Sequence, residues 1–338
     1  MLRATKSRAR LLAWSGIALS LVFAWLALRG LDFGDLRDAL ARQDYVFLLP
    51  AAAALAVAVA LRAWRWQLVF DRERRPAFPH VLNAMLVGYL FNTILPARAG
   101  ELARVQVLGR RSDISRANVL ATVVLERSYD LLALIALLAV ASPFLPSVGW
   151  LWAAVALGCA LALVLLVATL VVRRWGERAA RRTLRPLAWL PGIDAERARR
   201  MADSAVHGLA TLRVTRLLVT ALAVTTASWL ALIVSTWFLL LGTDADVGFG
   251  AALLVVVATN LVLVLPSSPA ALGAFEAAAV LALAAYGVDR AQALSFALVL
   301  HALNALPYIP VGYAALTLHT RAMRASTPPD ARERRAAS

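Results

Sequence analysis

A short charged segment, residues 92–104, separates two long apolar stretches and carries residue types that can bind an anion inside a membrane. It reads NTILPARAGELAR. Pro96 and Gly100 break a helix, and a helix broken at membrane depth needs protein or a water-filled cavity to satisfy its backbone. Arg98 and Arg104 carry guanidinium groups, which bind phosphate through paired hydrogen bonds. The segment is therefore predicted to bind a lipid phosphate, the alternative being that these arginines only fix the topology at the membrane edge.

A second charged cluster interrupts an apolar run that is predicted to span the membrane over residues 117–141. Glu126 and Asp130 are four residues apart and share a helix face, and Arg127 can pair with Asp130 three residues on. Ionisable groups inside a membrane are costly and indicate a functional site. The cluster is predicted either to contact a substrate or to act as an ion-pair latch between two helices.

The composition identifies the class of protein. Of 338 residues, 61% are hydrophobic and 16% are charged, and the mean hydropathy is +0.72, well above that of a soluble domain. We therefore expect an all-α, polytopic integral membrane bundle. The net charge of +15 does not indicate nucleic-acid binding, because the arginines lie between the apolar runs and at the termini, where the positive-inside rule places them.

Basic residues beside the apolar runs predict which loops face the cytoplasm. The segments 62–75, 98–116, 173–216 and 321–338 are basic, whereas the segment 29–44 has four Asp against three Arg and is predicted to face outward. Both termini are predicted to be cytoplasmic, in a cell membrane, with surface helices in 173–216 and a disordered tail after residue 320. Residues 1–320 are then one transmembrane domain. The predicted spans cover residues 11–28, 46–61, 117–141, 148–172, 217–241 and 291–318.

Several apolar runs between these spans are too short to cross a bilayer. Val81 to Leu95 has 15 residues and basic flanks on both sides, which predicts a re-entrant hairpin that enters from the cytoplasm. The runs 251–265 and 270–286 predict a second hairpin, which enters from outside. Two broken hairpins of opposite orientation are typical of inverted-repeat transporters with a substrate site near the midplane. The alternative is two unrelated kinks.

The two hairpins also share an order of residue types. In each, an Asn precedes a Leu-Pro break that a Gly and a carboxylate follow. These residues are Asn92, Pro96, Gly100 and Glu101 in the first hairpin and Asn260, Pro266, Gly273 and Glu276 in the second. This repetition supports the interpretation as an inverted repeat.

Three further polar residues are secondary candidates for the site. Arg65 lies at the basic end of the second predicted span, between Trp64 and Trp66, which we interpret as anchors at the membrane interface. His301 and Asn304 share a face of the last predicted span. Hydrogen bonds to a neighbouring helix are favoured over proton transfer for this pair.

Taken in order, the motifs resemble the transmembrane region of the lysylphosphatidylglycerol synthase, or flippase-like, family. The similarity rests on Asn92-x3-Pro96-x-Arg98-x-Gly100-Glu101-x2-Arg104, on Glu126-Arg127-x2-Asp130, and on Leu265-Pro266 followed by Gly273-x2-Glu276. It covers about residues 10–320. There are two departures: the turn 266–269 reads PSSP where the family usually has more glycine, and His301 stands where we would expect Arg.

The resemblance implies a function. In family members fused to a soluble aminoacyl-transferase domain, the membrane part is associated with moving aminoacylated phosphatidylglycerol between leaflets. This chain has no room for that domain after residue 320, so the resemblance implies a stand-alone membrane part. We expect it to move a phospholipid or lipid-linked substrate, with Arg98 and Arg104 attracting the phosphate. The side chains that would line or gate the path are Glu101, Glu126, Arg127, Asp130 and Glu276.

Two other classes of function stay open from the residues alone. Carboxylates near a lipid headgroup could support acid–base chemistry in a lipid-modifying enzyme, but the sequence has no H-E-x-x-H, no G-x-S-x-G and no clustered Asp metal motif. We therefore expect no enzymatic activity. A scaffold that recruits a lipid-synthesis enzyme through 173–216 is the third class.

The expected partners are anionic or phosphate-bearing membrane lipids, with no cofactor and no metal ion. The sequence lacks a Walker A motif, so lipid movement would be downhill or coupled to an ion. It leaves open which lipid is moved, in which direction, and whether the chain forms a homo-oligomer.

Overall fold

A computed structural model describes residues 32–70, 75–95, 100–111, 116–146, 215–263 and 269–325, together with isolated positions between residues 21 and 29, at 73, and between 149 and 160. Within these residues the chain is helical and contains no β-strand, which confirms the all-α fold class. The ten α-helices that lie in the described ranges are α1 (Phe33–Arg42), α2 (Leu48–Leu68), α3 (Phe78–Ile94), α4 (Gly100–Arg111), α5 (Arg116–Ala141), α6 (Thr215–Leu241), α7 (Phe249–Val262), α8 (Ala274–Ala284), α9 (Arg290–Ala305) and α10 (Tyr308–Ala325). Single 3₁₀ turns lie at Tyr45–Phe47, Ser142–Phe144 and Pro269–Ala271.

Several predictions fall mostly or wholly outside the described residues. They concern the spans 11–28 and 148–172, the basic segment 173–216 and all but the start of the tail 321–338. The start of the tail is described, and α10 continues through Ala325, so residues 321–325 are helical where disorder was predicted.

Three segments among the described residues are long and apolar enough to cross a membrane, judged by length and composition. They are Tyr45–Leu68, Val219–Leu241 and Arg290–Arg321. Helix α5 has 26 residues, which corresponds to about 39 Å. Within the described residues, Tyr129–Ala141 forms a shorter apolar stretch of this helix.

Helices α2 and α6 form the most extensive helix pair and run antiparallel. Near one end, the Gln43 side chain donates a hydrogen bond to the Leu239 carbonyl at 3.2 Å, and the Ser235 hydroxyl donates to the Ala51 carbonyl at 2.7 Å. Small residues and hydroxyls at this interface allow close backbone approach, as in other membrane helix pairs.

The segments predicted to face outward meet at one end of the molecule. Asp44 N–H donates to the Gly242 carbonyl at 2.7 Å, and a Cβ atom on Gly250 would lie 3.3 Å from Leu145 and 2.8 Å from the Tyr286 hydroxyl. We call this the acidic end; its aspartates are Asp32, Asp35, Asp38, Asp44, Asp244, Asp246 and Asp289. The opposite end, at which α2 ends and α3, α5 and α6 begin, we call the basic end.

The segment 29–44 is not a plain loop, as the charge count had suggested, because it contains helix α1. The Asp32 carboxylate accepts a hydrogen bond from Gly34 N–H at 2.7 Å and caps the helix. Helix α1 packs on α9 and buries Ala39. At its end, Arg42 Nε lies 3.4 Å from a carboxylate oxygen of Asp244.

The first predicted hairpin is present as α3 and α4. Gly88 and Gly100 allow the two helices to touch, since a Cβ atom on Gly100 would overlap the Gly88 carbonyl oxygen. The Asn92 side chain accepts a hydrogen bond from Gly100 N–H at 2.9 Å, so Asn92 binds the start of the returning helix. Residues 96–99 lie outside the described residues.

The second predicted hairpin is present as α7 and α8, which pack against each other. Its break contains left-handed backbone at Ala270, Ala271 and Gly273, with φ of 53°, 60° and 83°. The turn Pro269–Ala271 contacts α3. The two hairpins therefore meet, as the interpretation as paired hairpins of opposite orientation requires.

The last predicted span, 291–318, is not one helix: α9 ends at Ala305 and α10 begins at Tyr308. Pro307 lacks the N–H that would continue the helical hydrogen bonds. Helix α10 runs antiparallel to α3, because the Asn83 side chain donates to the Ala315 carbonyl at 3.0 Å and the Tyr89 and Tyr308 rings lie 4.7 Å apart. The chain thus returns to the basic end.

Candidate functional site

Six charged side chains form one network inside the apolar bundle. They come from three helices: Arg65 from α2, Glu101 and Arg104 from α4, and Glu126, Arg127 and Asp130 from α5. Three arginines face three carboxylates, so the network is formally neutral. Compensated charge is the condition under which ionisable groups are tolerated in a membrane interior.

Arg65 forms the buried side of the network, with no exposed side-chain surface. Its Nη2 lies 2.8 Å from Glu126 Oε1, and its Nη1 lies 2.5 Å from Asp130 Oδ1. Nη1 also donates to the Thr225 hydroxyl of α6 at 3.2 Å. The guanidinium therefore ties α2, α5 and α6 together, as the latch alternative for the α5 cluster requires.

The prediction that Trp66 anchors the chain at the membrane interface is wrong. Trp66 is fully buried, and its indole N–H donates to the Thr122 hydroxyl at 3.0 Å. The guanidinium carbon of Arg104 lies 4.8 Å from the centroid of its ring, which is a cation–π contact. Trp64, by contrast, is exposed.

Arg104 contacts one carboxylate of α4 and one of α5. Its Nη1 lies 2.8 Å from Glu126 Oε2 and its Nη2 lies 2.5 Å from Glu101 Oε2, while the side chain is only 4% exposed. Neither its Nε nor its Nη2 has an acceptor in hydrogen-bond geometry among the residues that the structure describes. The guanidinium of Arg104, which was predicted to bind a phosphate, is thus held between two carboxylates.

Arg127 and Glu101 form the open side of the network. Arg127 Nη2 lies 2.7 Å from Glu101 Oε1, and its Nη1 lies 3.5 Å from Asp130 Oδ2, the partner predicted by the i, i+3 spacing. The Arg127 side chain is 45% exposed and that of Glu101 is 20% exposed. Exposure therefore rises from zero at Arg65 to nearly half at Arg127, so among the described residues the network is open to a ligand on this side.

On α2 the network lies toward the basic end. Arg65 is three residues from the end of α2, or about 5 Å along the helix axis. The break of the first hairpin adjoins the network, because Glu101 directly follows Gly100, whose N–H binds the Asn92 side chain.

A second polar pair lies in the other half of the molecule, between α8 and α9. Glu276 Oε1 is 2.5 Å from His301 Nδ1, and both side chains are buried. Glu276 Oε2 also accepts a hydrogen bond from Gly273 N–H at 2.7 Å, which caps α8. His301 thus makes the cross-helix hydrogen bond predicted for it.

Asn304 does not act as predicted, and Asn260 does not act as its counterpart Asn92 does. Asn304 donates to the Leu300 carbonyl of its own helix at 2.9 Å instead of to a neighbouring helix. Asn260 likewise donates to the Val256 carbonyl at 2.8 Å, so it does not bind the returning helix as Asn92 does. In the second hairpin the start of the returning helix α8 is instead capped by Glu276 of the same helix.

Three predicted site residues, Pro96, Arg98 and Pro266, lie outside the described residues. In the part of the chain that is described, no group of three or more His, Cys, Asp or Glu side chains is placed to hold a metal ion.

Comparison with known proteins places these features in a wider group. A model of the family described as "Lysylphosphatidylglycerol synthase TM region" matches residues 13–312, a range that contains both hairpins and the charged network. A UPF0104 membrane protein from Methanothermobacter thermautotrophicus is 25% identical over 270 residues, which cover 72% of this chain and 76% of that protein.

Proposed function

The chain belongs to the lysylphosphatidylglycerol synthase transmembrane-region family, and on that premise we propose that it moves a phosphate-bearing lipid between the leaflets of a membrane. The observation that carries this proposal is the half-exposed guanidinium of Arg127 at the open side of an otherwise buried ion network. Phosphate is the anion that a membrane offers in quantity to such a group, and guanidinium binds it well.

A structural latch alone does not account for Arg127. The latch contacts of Arg65 are fully buried, whereas Arg127 is exposed at the twelfth residue of the 26-residue helix α5, about 17 Å from its start. Exposing a guanidinium to hydrocarbon at that depth is costly. Water or a lipid headgroup must therefore reach it, which supports a hydrophilic path beside α5.

The two hairpins supply the rest of the proposed path. They enter from opposite ends, and the turn Pro269–Ala271 of the second contacts α3 of the first. Broken helices that meet in this way are typical of transporters in which one part moves against the other. We propose that the headgroup binds at Arg127, passes the contact between the hairpins and continues past Glu276 and His301, while the acyl chains stay in the bilayer.

The proposal includes an orientation. The basic end faces the cytoplasm in a cell membrane, with both termini on that side, so the headgroup enters from the cytoplasmic leaflet. Movement is downhill or ion-coupled, because the sequence has no Walker A motif. The partners are anionic or phosphate-bearing lipids, and no cofactor takes part.

Leaflet exchange in proteoliposomes tests the proposal. Vesicles with fluorescent phosphatidylglycerol are treated with a membrane-impermeant quencher, which reaches inner-leaflet lipid only if the protein moves it outward. We expect exchange with the wild-type chain and at least tenfold slower exchange with Arg127→Gln, since the exposed phosphate ligand is lost.

Arg42→Gln is the matched control. It also removes one exposed, ion-paired arginine, but at the acidic end, where Arg42 faces Asp244, and it should leave exchange unchanged. Equal rates in protein-free and wild-type vesicles would refute transport. Mass spectrometry of the recovered lipids also tests the enzyme alternative, because a modified lipid species would replace translocation by catalysis.

A further inference from the structure

The carboxylate of Glu101 lies between two guanidiniums from different helices. Its Oε2 is 2.5 Å from Arg104 Nη2 in α4, and its Oε1 is 2.7 Å from Arg127 Nη2 in α5. Two guanidiniums that approach one anion from two sides form the arrangement that binds phosphate oxygens in many sites. Glu101 thus occupies a place that suits an external anion.

The hydrogen bonding between Glu101 and the two arginines is incomplete. Within the described ranges, Glu101 Oε2, Arg104 Nε and Arg104 Nη2 are buried atoms without a partner in hydrogen-bond geometry, although the Oε2–Nη2 distance is short. Buried donors are nearly always hydrogen-bonded in folded proteins. A tetrahedral phosphate can direct oxygens toward donors that a planar carboxylate cannot align with at the same time.

The net charge of the network without Glu101 indicates which class of phosphate would fit. Without Glu101, the network has three arginines and two carboxylates, Glu126 and Asp130, and therefore a net charge of +1. A phosphodiester carries one negative charge and restores neutrality, whereas a fully ionised monoester carries two. Neutral pairing is what a membrane interior favours.

The position of Glu101 in the helix allows it to be displaced. It is the second residue of α4, and a carboxylate in the first helical turn is stabilised by the helix dipole. Arg104 would keep its contact with Glu126, and Arg127 its contact with Asp130. The latch at Arg65 does not involve Glu101 at all.

From these observations we infer that Arg104 and Arg127 form a binding site for the phosphodiester of a glycerophospholipid, and that Glu101 holds this site as a resident anion until the lipid displaces it. The inference rests on the proposed function, since it takes a lipid as the ligand. It adds the identity of the headgroup chemistry and assigns Glu101 as the residue that competes with it.

Binding measurements on the purified full-length chain in detergent test this site without any transport assay. The probe is dihexanoyl phosphatidylglycerol, and the reference probes are dihexanoylglycerol, which lacks the phosphate, and inorganic phosphate, which lacks the acyl chains. We expect Glu101→Gln to bind the phospholipid about tenfold more tightly than the wild type, or about 1.4 kcal/mol. Binding of dihexanoylglycerol should not change.

Asp244→Asn is the matched control, because it raises the net charge by the same amount and also removes one carboxylate from an arginine. It should leave phospholipid binding at the wild-type value. Equal or weaker binding by a folded Glu101→Gln would overturn the inference, and so would equal tightening in Asp244→Asn. If inorganic phosphate binds as tightly as the phospholipid, the site serves a free anion, and the lipid assignment is wrong.

A shorter carboxylate keeps the test decisive if Glu101→Gln does not fold. Glu101→Asp retains the charge but cannot reach both arginines, so it should tighten phospholipid binding by a smaller factor, and wild-type binding in a folded Glu101→Asp would refute the inference. Different results would refute the two proposals, lipid transport and the resident anion Glu101. Normal leaflet exchange with unchanged binding in the Glu101 variants would refute the resident anion alone, whereas the expected binding without exchange would refute transport alone.

Discussion

Arg65 and Arg127 contact the same carboxylate, Asp130, but their surroundings give them different roles. Arg65 is enclosed by α2, α5 and α6, and all its ionic contacts lie in the interior. Arg127 has almost half of its side chain exposed. Because a buried ion pair that loses one partner leaves an uncompensated charge, substitution at these two positions should affect different properties.

Arg65→Gln should chiefly destabilise the fold. The change leaves Glu126 and Asp130 in the interior with one guanidinium fewer, and removal of one partner from a buried pair costs about 3–5 kcal/mol. Denaturant unfolding of the protein in detergent measures this loss. The exposed pair of Arg42 and Asp244 provides the control, since Arg42→Gln should cost less than about 1 kcal/mol. Equal losses in the two variants would contradict the assignment of Arg65 as a latch.

The sequence marked all six residues of this network as candidates but did not join them into one site. Glu126, Arg127 and Asp130 stand out because charge is conspicuous in an apolar run. Arg65 was not assigned to the network, because it lies 61 residues from Glu126 and its neighbouring tryptophans are typical of a membrane interface. No local pattern states that Trp66 turns inward; that depends on how α2 packs on α5.

At the scale of elements, the hairpins were predictable and the last break was not. Run length distinguishes a hairpin from a span, because a bilayer needs about 20 residues, and both short regions proved to be helix pairs. The hydropathy of Arg290–Arg321 is continuous, so it hides the break at Pro307. Helix α1 was not predicted although Asp32 is a typical N-cap, because its short, charged sequence resembles that of a loop.

The first hairpin depends on two glycines at its helix contact. In Gly100→Ala the new Cβ would overlap the Gly88 carbonyl oxygen and would lie 2.5 Å from Asn92 Oδ1, so α4 must move away from α3. Overpacking of this kind costs about 1–3 kcal/mol. We expect a lower thermal midpoint and weaker phospholipid binding, because Glu101 and Arg104 move with α4.

Gly248→Ala is the control for this substitution. Gly248 precedes α7 with extended backbone, and a Cβ atom there meets no other atom within 4 Å. Its thermal midpoint and binding should equal those of the wild type. A stable Gly100→Ala protein with normal binding would show that the hairpin tolerates separation of its helices.

At the scale of the whole molecule, the two polar sites belong to different hairpins. The charged network includes α4 of the first hairpin, whereas Glu276 and His301 lie where α8 of the second hairpin packs on α9. The turn Pro269–Ala271 precedes Glu276 in the chain and contacts α3 of the first hairpin, so it connects the two halves.

The side from which the headgroup starts depends on the orientation of the two ends, which single cysteines can report. Cys159 is the only cysteine, so Cys159→Ala gives a background into which Glu73→Cys at the basic end and Asp246→Cys at the acidic end are introduced separately; both positions are exposed. With a membrane-impermeant maleimide on intact spheroplasts, we expect labelling of Asp246→Cys at once and of Glu73→Cys only after permeabilisation, because basic segments stay in the cytoplasm. The reverse pattern would place Arg127 and Glu101 nearer the outer leaflet. The proposed path would then begin with an outer-leaflet lipid, and the direction of the leaflet-exchange assay would have to be inverted to detect it.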